Sequence, residues 1–104
     1  MERYMLTGKQ RSHLKSMANT IKPIIQVGKE GVSENFLSQL DNMLNDHEIV
    51  KINILSNSGE QSKAVANELC EVLKAEFVSA LGNKAVVYRE SRTKHKDEKI
   101  VLPK

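Results

Sequence analysis

The stretch at residues 24–33, IIQVGKEGVS, does most to restrict what this chain can fold into. Ile24, Ile25 and Val27 make a short apolar run. Gly28 and Gly31 then bracket two charged residues, and Ser33 follows as a helix-capping residue type. The pattern predicts a strand, a tight loop and a helix N-terminus in immediate succession. Glycine lacks a Cβ and reaches positive φ, so Gly28 and Gly31 allow a ligand to lie almost against the backbone. Amides of the loop and of the first helical turn have no intrahelical acceptor, and the helix dipole adds partial positive charge there. A phosphate is the natural guest of such a place. Lys29 would supply a mobile cation, whereas Glu30 opposes an anion and must point elsewhere. Alone, a G-x-x-G of this kind is most often an ordinary turn.

The remainder of the chain decides how much weight the loop can bear. Its 104 residues suit one domain, 1–104, able to bury its own core. With no Trp and 4% aromatics, that core must be aliphatic. No apolar run is long enough to cross a membrane, and the first five residues, MERYM, lack the apolar region of a secretory signal. The single cysteine, Cys70, excludes an internal disulfide, which fits a cytoplasmic setting. Charge is segregated. Residues 1–31 carry six Lys/Arg against two Asp/Glu, residues 32–76 three against eight, and residues 77–104 seven against three. A fold that gathers both ends on one side would have a basic face and an acidic back, as a polyanion binder requires. A pair of solvated charged termini would have the same composition.

Read in order, residues 6–18 predict a helix capped by Thr7, with Leu14, Met17, Ala18 and Ile21 forming its buried stripe. Arg11 and Lys15 share its polar face. Like charges at that spacing repel by a few tenths of a kcal/mol, roughly, which a bound anion would offset. Lys22-Pro23 ends the helix. Strand one spans 24–27. Helix two starts at Ser33, with Val32 placed to staple onto Leu37 and an inward stripe of Phe36, Leu37, Leu40, Met43 and Leu44; Asp41, Asn45 and Asp46 face away or end it. Strand two spans 48–55, one side wholly apolar and the other mixed. Residues 56–59 turn. Ser58 and Gln61 have capping-box spacing for helix three, whose inward residues are Val65, Ala66, Leu69, Val72 and Leu73, with Cys70 at the boundary. Residues 77–81 and 85–88 read as a hairpin around 82–84. Residues 90–104 read as a mobile basic tail. The order αβαβαββ and the rule of right-handed crossovers predict an α/β two-layer sandwich with a four-stranded mixed sheet and helices two and three on one face.

Catalytic chemistry is thinly represented. His13, His47 and His95 are scattered, one cysteine cannot build a structural zinc site, and no serine sits in a nucleophile elbow. The glycine loop is neither a dinucleotide fingerprint nor a Walker motif, so neither metal nor cofactor nor enzyme activity is expected. Binding residues are more plentiful: Lys9, Arg11, Lys15, Lys22, Lys29, Lys84, Arg89, Arg92, Lys94 and Lys96. Tyr88 could stack on a base if it faced solvent, though a core position is commoner for a strand tyrosine. So few aromatics favour recognition through phosphates and shape with little reading of bases.

Five segments together resemble a known family. These are Leu14-Lys15, the run IKPII at 21–25, VGKEGV at 27–32, HEIVKI at 47–52 and GNKAVVYR at 82–89. In order and spacing they are similar to the bacterial YhbY family, stand-alone versions of the CRM (chloroplast RNA splicing and ribosome maturation) domain. The resemblance runs from about Leu6 to Pro103. It implies an RNA-binding domain, not an enzyme, associated with precursors of the large ribosomal subunit; a monomer is expected. It also implies a fold similar to the C-terminal domain of the third translation initiation factor and a loop likened to that of KH domains. Carried over by position, that loop is Gly28, Lys29, Glu30 and Gly31, helped by Lys9, Arg11, Lys15 and Lys22 and by Lys84 and Arg89 of the hairpin. An alternative from another class is a protein-interaction module that docks the acidic helices, through residues such as Glu68 and Glu71, on ribosomal proteins.

Overall fold

The computed structural model describes residues 6–28, 31–55, 62–93 and 95–100. Local signals account for most element boundaries. Helix α1 (Gly8–Ala18) begins at a closed capping box, in which Thr7 Oγ1 accepts from Gln10 N at 3.1 Å and Gln10 Oε1 accepts from Thr7 N at 3.1 Å. Such a cap contributes about 1 kcal/mol. Strand β1 (Ile25–Val27) follows the Lys22-Pro23 stop. Helix α2 (Glu34–His47) is capped by Ser33, whose Oγ accepts from Phe36 N at 3.1 Å, and Val32 and Leu37 pack on the same core, as the staple pattern requires. Strand β2 (Ile49–Ile54), helix α3 (Ser62–Leu73) and the hairpin of β3 (Glu76–Leu81) and β4 (Lys84–Tyr88) complete the order, with a 3-10 turn at Lys96–Glu98. The anticipated capping box at Ser58 and Gln61 and the turn at 56–59 lie outside the described residues.

The sheet runs β1-β2-β4-β3. β1 pairs parallel with β2, while β4 is antiparallel to both β2 and β3. β1, β2 and β3 therefore point the same way, and the two crossover helices fall on one face. Their core joins Phe36, Leu40 and Leu44 of α2 and Val65, Ala66, Leu69 and Cys70 of α3 to Ile25, Val27, Val50, Ile52, Ile54, Ala85 and Val87 of the sheet. Each large side chain buried there contributes roughly 1.5–3 kcal/mol of hydrophobic stabilisation. Cys70 is buried, as a small apolar residue would be. Val72, expected inward, is 54% exposed, because the buried stripe of α3 turns toward Cys70 instead.

The opposite face carries α1. Leu14 and Ala18 are buried against Ile49, Val78, Val86 and Tyr88, with Leu6, Met17, Ile21 and Ile100 around them. This cover is partial. It explains why alternate residues of β2 are mixed: Ile49 meets α1, whereas Lys51 and Asn53 face beyond its end. Lys51 Nζ donates to the carbonyls of Ala18 at 3.2 Å and Ile21 at 3.5 Å, so a lysine closes the negative end of α1.

Part of the tail anticipated as mobile at 90–104 makes defined contacts, while Lys94 and residues 101–104 lie outside the described residues. Glu48, 0% exposed and at φ 67°, accepts from Ser91 N at 2.7 Å and from Ile100 N at 2.6 Å. A buried carboxylate with two backbone donors ties the chain down at both ends of this segment, and Ile100 joins the α1 core. Lys99 Nζ pairs with Glu90 at 2.7 Å. The physical reason was not visible in composition: a polar, charged segment is held through its backbone.

Candidate nucleic-acid interface

The glycine loop leaves the end of β1 and enters α2. Gly31 adopts φ 74°, a conformation that a side chain makes costly, and its N–H donates to Gly28 O at 3.0 Å. That amide is therefore used within the loop, contrary to the expectation of a wholly bare set. Phe36 N and Leu37 N are also taken, by Ser33 Oγ and by Ser33 O at 3.0 Å. The amides of Glu34 and Asn35, in the first turn, have no hydrogen-bond acceptor among the described residues, which leaves that end of the helix open to an anion. Gly28 stands differently. A Cβ there would come no nearer than 4.0 Å to a neighbour, Leu55 Cδ1, so packing does not require glycine at that position. Lys29 and Glu30 lie outside the described residues.

Three shallow depressions meet beside this loop. One of about 410 Å³ is lined by Gly28, Gly31, Ser33, Asn35, Gln39 and Gln26, over Phe36. The second, about 470 Å³, shares Gln26 and adds Pro23, Ile24, Asn53 and Lys84. The third, about 310 Å³, shares Lys84 and extends to Lys51, Lys15 and Asn19. Through Gln26 and Lys84 they form one band, from the helix N-terminus across the uncovered sheet face to the end of α1. Among the described residues its lining includes Lys15, Lys51 and Lys84 and no carboxylate. Cations clustered along a concave lining attract a polyanion.

The candidate residues divide by where the strands carry them. Lys84 and Lys15 line the band, and Lys22 is exposed beside Pro23 at its margin. Lys9 is exposed on the first turn of α1 and lines none of these depressions. Arg11 lies at the β3 edge, its Nε donating to Phe77 O at 3.3 Å. Arg89 is turned inward and leaves the candidate surface. It is 6% exposed, its Nη1 donates to Asp41 Oδ1 at 2.7 Å and Leu73 O at 3.1 Å, and its Nη2 donates to Asp41 O at 3.1 Å and Asn45 Oδ1 at 3.2 Å. Asp41 and Asn45 of α2, expected to face away, are its partners. The register explains the outcome: Val27 pairs with Ile54 at one end of β2, while Tyr88 pairs with Ile49 at the other. At about 3.3 Å per residue, those ends are roughly 17 Å apart. Arg92, whose N donates to Asn45 Oδ1 at 3.2 Å, also belongs to the far end. Among the described residues, the basic charge near the loop thus comes from α1's last turns and the start of β4, while Arg89 and Arg92 stand at the far end. Lys94 and the side chain of Lys96 lie outside the described residues.

Sequence reasoning missed Lys51, Gln26 and Asn53. Their signal was available, since each interrupts the apolar alternation of a strand on the side away from α2 and α3. Tyr88 is a core residue, 7% exposed, and burial together with the charges of Glu48 and Glu90 pushes its hydroxyl up to about 12. It offers no stacking surface.

The sheet, its glycine loop and its lysine-lined face define a small α/β domain with a cationic band that runs from the start of α2 across the sheet side opposite α2 and α3. Residues 6–89 match the CRS1/YhbY (CRM) domain, and the chain belongs to that family. It is 38% identical over 99 residues to YqeI of Bacillus subtilis (strain 168), named a probable RNA-binding protein, an alignment covering 95% of this chain and 100% of YqeI. A Haemophilus influenzae protein named RNA-binding protein is 31% identical, with 95% of this chain and 96% of that one covered. The solution structure of SAV1595 from Staphylococcus aureus, described as a candidate RNA-binding protein, superposes with a TM-score of 0.78 at 42% identity, covering 95% of this chain and 100% of that one.

Proposed function

We propose that this chain binds RNA, as the names of its relatives suggest, and that its target is structured ribosomal RNA in a precursor of the large subunit. The observation that carries the reading is the continuity of the band: Gln26 and Lys84 join the glycine loop to the lysines of α1 and β2, with no acidic residue among the described residues of the lining. A sugar-phosphate strand laid along it meets the open amides of α2 first and the cations of Lys84, Lys51 and Lys15 next. Binding and positioning need no catalytic group, and the reading assigns none.

With Lys15, Lys22, Lys51 and Lys84 neutralising about four phosphates on a single strand, the logarithm of affinity should fall against the logarithm of salt with a slope near −2.8, a loss of roughly fifty-fold between 50 and 200 mM. Titration of large-subunit RNA at several salt concentrations measures it. A flat response would overturn the reading. Reversal of the exposed Glu68 and Glu71 to lysine leaves this RNA binding undiminished; loss of ribosome association in that variant would favour docking of α3 on a protein instead.

A further inference from the structure

We propose that Gln26, Asn53 and Lys84 form a base-reading row that presents hydrogen-bond donors and selects guanine over adenine in an unpaired stretch of the bound RNA. The inference rests on the RNA-binding reading and adds a specificity to it, where the sequence led to an expectation of recognition through phosphates and shape with little reading of bases.

The row follows from register. Gln26 pairs with Asn53 across β1 and β2, and Asn53 pairs with Lys84 across β2 and β4. Strands lie about 4.8 Å apart, so the three side chains stand side by side. Their neighbours along the strands, Ile25, Val27, Ile52, Ile54 and Ala85, are buried in the α2–α3 core, which places the row on the other, uncovered face.

Lys84 gives the row its polarity. An ammonium only donates, so Lys84 Nζ, 3.2 Å from Asn53 Oδ1, fixes the carbonyl end of that amide toward itself. Asn53 Nδ2 then donates to Gln26 Oε1 at 3.2 Å, which fixes the second amide in turn. The carbonyl oxygens are thereby directed along the row and the remaining N–H groups outward. Gln26 Nε2 has no acceptor among the described residues, and one proton each of Asn53 Nδ2 and Lys84 Nζ also remains, Lys84 having Asn83 Oδ1 as its other partner at 3.3 Å. Outward, the row offers donors.

An apolar surface stands beside it. Ile24, 46% exposed, and Pro23 line the same depression of about 470 Å³. An aliphatic residue left in water next to polar amides is a surface on which a base can lie while its edge meets the row. Guanine presents two adjacent acceptors, O6 and N7, whereas adenine replaces the first with an N6 donor that would face the row's own donors. Purine size and stacking are equal in the two cases, so hydrogen bonding decides.

The test compares ten-nucleotide single strands of alternating sequence, (UG)5 and (UA)5, by fluorescence anisotropy with the full chain. Wild type should hold (UG)5 about tenfold more tightly. In Asn53→Asp the second carboxylate oxygen faces Gln26, whose amide must turn to donate and so presents Oε1 outward. Both affinities fall through charge, but the ratio should reverse toward (UA)5. Circular dichroism checks that the substitution, at a half-buried position, leaves the fold intact, and Gln26→Ala, which removes the outermost donors, should bring the ratio close to one. Equal wild-type affinities with an unchanged ratio in Asn53→Asp would overturn the proposal and leave RNA binding standing. No binding of either strand, nor of large-subunit RNA, would overturn both.

Discussion

Arg89 shows how a single residue type can mislead and then instruct. By composition it belongs with the cations of the hairpin; in the fold its guanidinium ties β4 to α2 and to the end of α3. Nothing in the sequence separates it from Lys84, five positions earlier, because the distinction is made by which end of the strand meets the acidic helices. Arg89→Ala should therefore lower stability by about 2–4 kcal/mol, from lost charge-assisted hydrogen bonds and an unpaired Asp41, while RNA affinity at permissive temperature stays within twofold. Urea unfolding and an RNA titration on the same preparation check both halves. Tyr88 gives a second residue-scale expectation. Its native pKa of about 12 lies above the ordinary value of 10.0, so the folded state keeps the phenolic proton where the unfolded state releases it. Below about pH 10 the contribution to stability is complete, and it is lost as pH rises toward 12. The unfolding midpoint should fall over that window in wild type and fall less in Tyr88→Phe.

At the scale of elements, the strand, loop and helix start at 24–33 were legible because each has a local cause: alternation, two glycines and a capping serine. The two glycines nevertheless have different duties. Gly31, at φ 74°, is needed by the backbone, and Gly31→Ala should destabilise by about 1–2 kcal/mol. At Gly28 the nearest neighbour of an added Cβ would be 4.0 Å away, so Gly28→Ala should melt close to wild type. Gly28→Asp should fold equally well yet weaken RNA binding at least tenfold by placing an anion at the helix N-terminus. Thermal melts beside binding curves distinguish the two positions; a collapse of folding in Gly28→Asp would make that glycine structural as well. Other elements were readable only in part. The anchoring of Ser91 and Ile100 depends on Glu48, whose carboxylate is 43 and 52 positions from the amides it holds, a separation no local pattern encodes.

For the molecule as a whole, element order and crossover handedness were enough to foresee the four-stranded sheet and the shared face of α2 and α3. They did not foresee where the basic residues would converge. That depends on register, which sends Lys84 to the loop end of β4 and Arg89 to the opposite end, and on the angle at which α1 leaves part of its sheet face open. Sequence similarity found the family, and the fold redistributed the candidate contacts within it.

Amide chemical-shift mapping on the labelled chain during titration with large-subunit RNA tests the central claim most directly. Shifts should concentrate at Gln26, Gly28, Gly31 and Ser33 and at Lys15, Asn19, Asn53 and Lys84, the two groups moving together at one stoichiometry. Shifts confined to Arg89, Ser91, Arg92 and Ile100, with the glycine loop silent, would contradict it.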